Sequence, residues 1–258
     1  MNAIRKPSLK LEPVRFLGVS LAALTAEESV DLALNGGLIL APSGPGLCTL
    51  ATDLEYRSAL LAADVNLPDS GLAILLARVL GMGRLPRTSG LGFLKEFLAR
   101  PSVRERGATF WVMPSEEALR LNMEWLRDQG IGVTLRDCYI APVYPRKGSV
   151  QDEVLLEILM LQTPRSVFIC TGSGSQEKLG AWLKERLPTS TSICCIGAAI
   201  GFLSGDQVRI PGWADRACLG WLIRSLTNPA RFLPRYLRAL ALIPLVVRNR
   251  GRLPSLKA

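Results

Sequence analysis

An α/β fold, with a mostly parallel sheet covered by helices on both faces, is what this sequence predicts, and three observations carry it. Short, uniformly apolar runs recur, as at residues 108–113 and 166–171, which is how strands buried on both faces read. Between them lie capped segments of helical length, so strand and helix patterns alternate. The charge is unevenly divided: of 31 basic and 22 acidic residues, ten basic and one acidic fall from Arg209 onward. The first 208 residues are therefore neutral, and the tail carries the whole net charge of +9. That split predicts a catalytic-sized body, 1–208, and a basic amphipathic helical appendage, 209–258.

In chain order, residues 14–19 read as the first strand. Thr25-Ala-Glu-Glu28 has capping-box spacing and opens a helix toward Asn35-Gly36-Gly37. Thr52-Asp-Leu-Glu55 repeats the signature before a helix toward Ala62; residues 64–68 form a short strand that delivers Asp69 to a loop tip, and residues 71–80 read as a helix. Residues 108–113 are a strand, Pro114-Ser115 starts a helix to about Asp128, and 132–135 is the next strand. Ser149-Val-Gln-Asp152 caps a helix to about Gln162, followed by a strand at 166–171, a helix at 176–187 and a strand at 192–197. In the tail, Asn228-Pro229 has the composition of an N-cap and first helical position, and Pro234 either kinks that helix or starts another. Arg231, Arg235 and Arg238 recur at spacings of four and three beside Phe232, Leu233, Leu237 and Leu240, an arrangement suited to an interfacial helix. A chain ending near Asn228 is expected to keep a folded body and to lose binding to anionic vesicles.

Composition excludes several classes. With 48% hydrophobic and 21% charged residues and a mean hydropathy of +0.24, the chain must fold around a core. Cys48, Cys138, Cys170, Cys194, Cys195 and Cys218 read as buried small hydrophobes in a reducing compartment. There is no histidine and no Cys-x-x-Cys pair, which speaks against a transition-metal site, while a magnesium ion held by carboxylates and a sugar nucleotide's phosphates stays open. Residues 1–15 lack the apolar core of a secretory signal. The apolar stretch 239–247, with Pro244 inside it, is shorter than the roughly 20 residues of a spanning helix and suits a segment lying on a membrane. Tail arginines interleaved with Leu, Ile, Trp and Phe favour an anionic membrane over nucleic acid, whose binders spread basic residues along a groove. The first β-to-α connection has no glycine fingerprint for a dinucleotide.

Ligands of such sheets bind outside the carboxyl ends of the strands, and three loops there are polar or glycine-rich: 67–71, 171–177 and 197–209. Asp69 is placed either to act as a general base or to cap the helix at Gly71. Gly172 and Gly174 offer free backbone N–H groups before a helix, a phosphate cradle or a turn with no ligand. The amide of Gln176 suits a nucleobase or sugar, and Glu177 complements the helix dipole. Arg87 and Arg209 are candidates for a diphosphate or ordinary solvent-facing arginines.

Ala63-Asp-Val-Asn-Leu-Pro-Asp69, Ala77-Arg-Val-Leu-Gly81, Arg87-Thr-Ser-Gly90, Gln176-Glu177, Gly197-Ala-Ala with Phe202-Leu-Ser-Gly205, Arg209-Ile-Pro211, Leu219-Gly-Trp-Leu222, and Arg224 through Pro229 with Arg231, Arg235 and Tyr236 form an ordered set. That set resembles the WecG/TagA/CpsF family of glycosyltransferases over residues 14–236. The resemblance implies a Rossmann-like body that binds a UDP-sugar through Gly172, Gly174, Gln176 and Gly197, with Asp69 as catalytic base and Arg87 near the acceptor or diphosphate. Arg209, Arg224, Arg231, Arg235 and Arg238 are implied as ligands of the acceptor diphosphate or the membrane. The implied reaction is inverting transfer, without a metal cofactor, to a polyprenyl-diphosphate-linked saccharide in cell-surface or exopolysaccharide assembly. The implied location is the inner face of the cell membrane, peripherally attached, as a homo-oligomer or beside partner glycosyltransferases. Departures are informative: Ser70 stands where the family has glycine, Gly92 and the Ile200-Gly201 pair where its motifs carry carboxylates, and Ser43-Gly-Pro-Gly46 where it has an asparagine. They imply altered sugar or acceptor specificity. The alternative is a weak or inactive member serving as a membrane or nucleic-acid scaffold.

Overall fold

In the computed structural model, which describes residues 12–207, 220–227 and 229–256, the strands are β1 Val14–Phe16, β2 Val19–Leu21, β3 Gly37–Leu40, β4 Val65–Asn66, β5 Thr109–Met113, β6 Cys138–Ile140, β7 Ser166–Ile169 and β8 Ser192–Cys195. They form one sheet in the order β1-β2-β4-β3-β8-β7-β5-β6. Every pairing is parallel except that of β1 with β2. The helices are α1 Ala26–Ala33, α2 Gly44–Leu47, α3 Leu54–Ala62, α4 Gly71–Val79, α5 Gly90–Leu98, α6 Glu116–Asp128, α7 Glu153–Gln162, α8 Ser175–Lys184, α9 Gly201–Ser204, α10 Gly220–Thr227, α11 Pro229–Ala239 and α12 Leu242–Asn249.

Side chains alternate across a strand, and here both faces are buried. Leu38, Leu40, Phe110, Val112, Val167 and Ile169 enter one core with residues of α3, α7 and α8. Ile39, Trp111, Met113 and Phe168 enter the other with Phe93 and Phe97 of α5. Trp111 stacks on Phe168 at 4.4 Å, and Phe97 meets the same ring edge-on at 5.1 Å. This two-sided burial is why β5, β7 and β8 read as uniformly apolar.

The structure corrects several local expectations. Residues 14–19 are not one strand: Leu17 and Gly18 both adopt positive φ (50° and 78°) and turn β1 back on β2 as a two-residue hairpin. The strand expected at 132–135 falls instead at β6, because Thr134 and Asp137 form a reciprocal cap over a short 3-10 turn at Leu135–Asp137. The cap of α3 is Asp53, which accepts the Tyr56 N–H at 3.0 Å, and not Thr52. The carboxylate of Asp53 also pairs at 2.7 Å with the buried Lys178, whose ammonium donates to the carbonyls of Arg146 and Gly148 as well. Central strand β3 and helix α5 went unmarked in the sequence. Helix α11 runs through Pro234.

The distal tail is part of the body's packing. Leu242 and Val246 of α12 are fully buried in the core beneath α4. Beyond them the Leu17 N–H donates to the Arg250 carbonyl at 2.7 Å, and Arg57 donates to the Pro254 carbonyl at 2.8 Å. Any Cβ on Gly18 would collide with Leu253. A chain ending near Asn228 therefore loses core as well as charge, against the expectation from sequence. Leu242→Ala is expected to cost about 2–5 kcal/mol in urea unfolding; a loss below about 0.5 kcal/mol, the size of a surface change, would show the helix to be only laid on the surface.

Candidate active site

The loops after β4, β3, β8 and β7, four neighbours in the sheet, meet at its carboxyl edge, the usual ligand position of an open α/β sheet. Asp69 follows β4, and its Oδ1 accepts the N–H of Gly90, the first residue of α5, at 3.0 Å. The cap of α4 is Ser70, whose Oγ accepts the Ala73 N–H, so the capping alternative for Asp69 gives way to a different contact. Its carboxylate rests on the N-terminus of α5, where the partial positive charge of the helix end favours an anion. Gly90 is wedged between strand ends: a Cβ there would lie 3.1 Å from the Ile196 carbonyl and 3.4 Å from the Ala41 Cβ. Arg87 is half-buried in the loop before α5, three residues from Gly90 and hence within about 10 Å of backbone reach. Thr88, donating to the Leu24 carbonyl at 2.7 Å, anchors that loop.

After β7, Gly174 takes a φ of 103° and starts α8. A Cβ on Gly172 or on Gly174 would meet nothing within 4 Å, so the backbone there faces open space. Gln176 is buried, and its amide is engaged at both ends: Oε1 accepts the Gly197 N–H at 2.9 Å, and Nε2 donates to Glu177 at 3.2 Å. It ties α8 to the end of β8.

Glu177, read from sequence only as a dipole partner, is the centre of this network. Fully buried, it accepts the Gly174 N–H at 2.6 Å, the Ser173 hydroxyl at 3.3 Å and the Gln176 amide. Ser43, the N-cap of α2, donates to the Ser173 Oγ at 3.1 Å. Loops after β3, β7 and β8 are thus joined to one carboxylate. Burial pushes that carboxyl above the ordinary glutamate range, against the pull of its hydrogen-bond donors. Burial and the charge of Glu177 likewise raise the phenol of Tyr56, which lies beneath Gly46. Two sequence signals were available: Ser43-Gly-Pro is a cap followed by proline, and Glu177 stands at the third helical position, where capping-box acids sit.

At the positions where the resemblance leads to an expectation of carboxylates, Gly92 lies in the first turn of α5, its N–H on the Ser89 Oγ, Ile200 is buried in the second core, and the buried Gly201 starts α9. Arg238 is exposed near the end of α11, where the Cys48 Sγ faces the carbonyls of Arg238 and Ala239 at 3.8 and 3.7 Å. Through Cys48 this part of the tail reaches the turn that follows α2. Arg209, Trp213 and Cys218 lie outside the described residues, as do the side chains of Arg224, Arg231 and Arg235. The five described cysteines are free thiols. Among the described residues no His, Cys, Asp or Glu cluster of metal-binding size forms, and no helix is long and apolar enough to cross a membrane. A cleft of about 280 Å³ lined by Gly36, Gly37, Asp64 and Thr189 opens at the opposite end of the strands and brings none of the candidate residues together.

Comparison with known proteins places this edge in context. The family model described as the glycosyl transferase WecG/TagA/CpsF family matches residues 14–255. A protein of Bacillus spizizenii named N-acetylglucosaminyldiphosphoundecaprenol N-acetyl-beta-D-mannosaminyltransferase is 22% identical over 219 residues, covering 82% of each chain. A Bacillus subtilis protein of the same name is 24% identical over 214 residues, covering 78% of this chain and 77% of its own.

Proposed function

The chain belongs to the WecG/TagA/CpsF family of glycosyl transferases, and from that premise we propose that it moves a hexosyl or N-acetylhexosaminyl group from a UDP-sugar to a polyprenyl-diphosphate-linked saccharide, with inversion. The observation that carries the reading is the seat of Asp69: a carboxylate held by the α5 N-terminus at the edge where the glycine loops after β7 and β8 also end. In the step, Asp69 takes the proton of the acceptor hydroxyl as its oxygen bonds to the anomeric carbon. The bond from that carbon to the UDP oxygen breaks, and UDP leaves with the electron pair. Arg87 and the backbone N–H groups near Gly172 and Gly174 offset the charge that grows on the diphosphate. Gln176 positions Gly197 and the start of α8 and in this way shapes the donor site. The names of the relatives support N-acetylmannosamine as the sugar and N-acetylglucosaminyl-diphosphoundecaprenol as the acceptor. Gly92 and the Ile200-Gly201 pair, uncharged where the resemblance implies carboxylates, support a changed preference for one of the two.

The reaction would take place where the lipid-linked acceptor stands, with the protein peripherally attached to the inner face of the cell membrane and contributing to cell-surface or exopolysaccharide assembly. A panel of UDP-sugars offered with a short-chain polyprenyl-diphosphate N-acetylglucosamine tests the proposal. One donor is expected to give a single product, released with one equivalent of UDP. Absence of transfer from every donor, with the protein folded, would refute it.

A further inference from the structure

The basic and apolar character of the tail continues onto the body. Between Asp69 and Glu96 the chain has no acidic residue, while Arg78, Arg84, Arg87 and Lys95 fall in that stretch. Helices α10, α11 and α12 hold no acidic residue either. On α4, Ala73 and Ala77 turn into the core, whereas Leu75 and Val79 are 56% and 72% exposed beside the exposed Arg78. Helix α12 packs against α4 and repeats the pattern: Leu242 and Val246 enter the same core, Ile243 and Val247 face outward, and exposed Arg248 follows. On α4 the exposed pair lies opposite the buried pair, and on α12 it lies about 100° round the helix from it, so each helix carries an apolar stripe outside the shared core. Each stripe is followed or flanked by an exposed arginine. The exposed apolar residues of α7 keep different company: Val154 and Leu161 share their helix with Glu153 and Glu157, charges that an anionic surface repels.

We propose that α4 is a membrane-contact element of the catalytic body, with Leu75 and Val79 entering an anionic leaflet beside Ile243 and Val247 of α12, and with Arg78 and Arg84 on lipid phosphates. This rests on the lipid-linked acceptor of the proposed function and extends the contact from the tail to the body. Its consequence is geometric. Asp69 stands two residues before α4, so the helix that touches lipid also begins at the loop of the base and fixes the height of that base above the leaflet carrying the acceptor's diphosphate.

The test uses full-length protein, vesicles of phosphatidylcholine with phosphatidylglycerol, and two double variants, Leu75→Glu with Val79→Glu and Arg78→Glu with Arg84→Glu. Each is expected to lower vesicle partitioning about 10-fold or more, since burial of the apolar pair and attraction of the basic pair are each removed and reversed. The arginine pair should lose its effect as salt screens the leaflet; the apolar pair should not. Transfer to a short-chain, water-soluble acceptor should stay at the wild-type rate in both, which shows them folded. Unchanged partitioning of both variants would overturn the proposal. So would a shift of the apolar variant from dimer to monomer in sedimentation with its vesicle binding intact, because the strip would then belong to a second copy of the chain. If wild type itself fails to transfer sugar to the short-chain acceptor, the proposed function falls, while the vesicle result still decides the surface.

Discussion

Replacing Asp69 by asparagine is expected to lower kcat by about 10²–10⁴-fold, the usual contribution of a positioned general base. The substitution isolates the proton-accepting role. The new amide would keep an oxygen for the Gly90 N–H, the contact that seats the native side chain at 3.0 Å, so the entry to α5 should hold its place and thermal stability should move little. The donor's KM should change less than kcat, because the lost interaction belongs to the transition state. Steady-state kinetics with saturating acceptor, together with a melting curve, checks all three points. Equal turnover by the two proteins would remove Asp69 from the base role.

Glu177→Gln is expected to lower kcat/KM by about 10- to 100-fold, mostly through the donor's KM. The side chain keeps its size but loses its acceptor-only character. Gly174 approaches one carboxylate oxygen, and Ser173 and Gln176 approach the other, all three as donors. Whichever way the new amide turns, its NH₂ faces a donor. One buried group left unsatisfied costs about 1–3 kcal/mol, which corresponds to the stated range at about 1.4 kcal/mol per factor of ten. Ser173→Ala, which removes one donor to Glu177 and the tie to Ser43 and α2 but leaves no donor facing a donor, should cost less. A pH profile separates positioning from mere structure. Burial holds the pKa of Glu177 above its value in the unfolded chain, so as pH falls the folded protein binds this proton first. The group therefore adds stability on the acid side and loses that contribution as pH rises through the folded pKa. Activity should run the other way, falling as acid protonates the carboxylate and reverses its hydrogen bonds, with no matching loss of stability in that window. The Glu177→Gln protein should lack this acid limb. A profile identical to that of the wild type would show that the network does not govern the donor loops.

The layers of the fold were legible because β5, β7 and β8 are buried on both faces and so carry a plain apolar signal. Most of the helix starts that the sequence marked were legible to within a residue, since a cap is a local bond; Thr52 and Asp53 compete at adjacent positions, and the distant Lys178 favours the second, while α7 is capped by Asp152, three residues after Ser149. Strand β3 was missed because its four residues follow two glycines, and only its neighbours β4 and β8 make it central. The first hairpin was hidden for a related reason. Leu17 at positive φ has no local signature and is held by Arg250 and its neighbours from the far end of the chain. For the candidate site, Asp69, Gln176 and the glycine loops could be named as candidates, but the partnership of Asp69 with Gly90 and the joining of three loops at Glu177 depend on contacts between elements distant in sequence.

The clasp of the hairpin by residues 250–254 also sets an order of events during synthesis. The bond from Arg57 to Pro254 spans 197 residues, and the bond from Leu17 to Arg250 spans more. Closing so long a loop carries an entropy cost that only late contacts repay. A ribosome-bound chain can assemble the central strands, yet the hairpin of β1 and β2 is fastened only once residues 250–254 have left the exit tunnel. Residues 14–21 are therefore among the last to be fixed, and a nascent chain stalled before Arg250 holds an unfastened sheet edge.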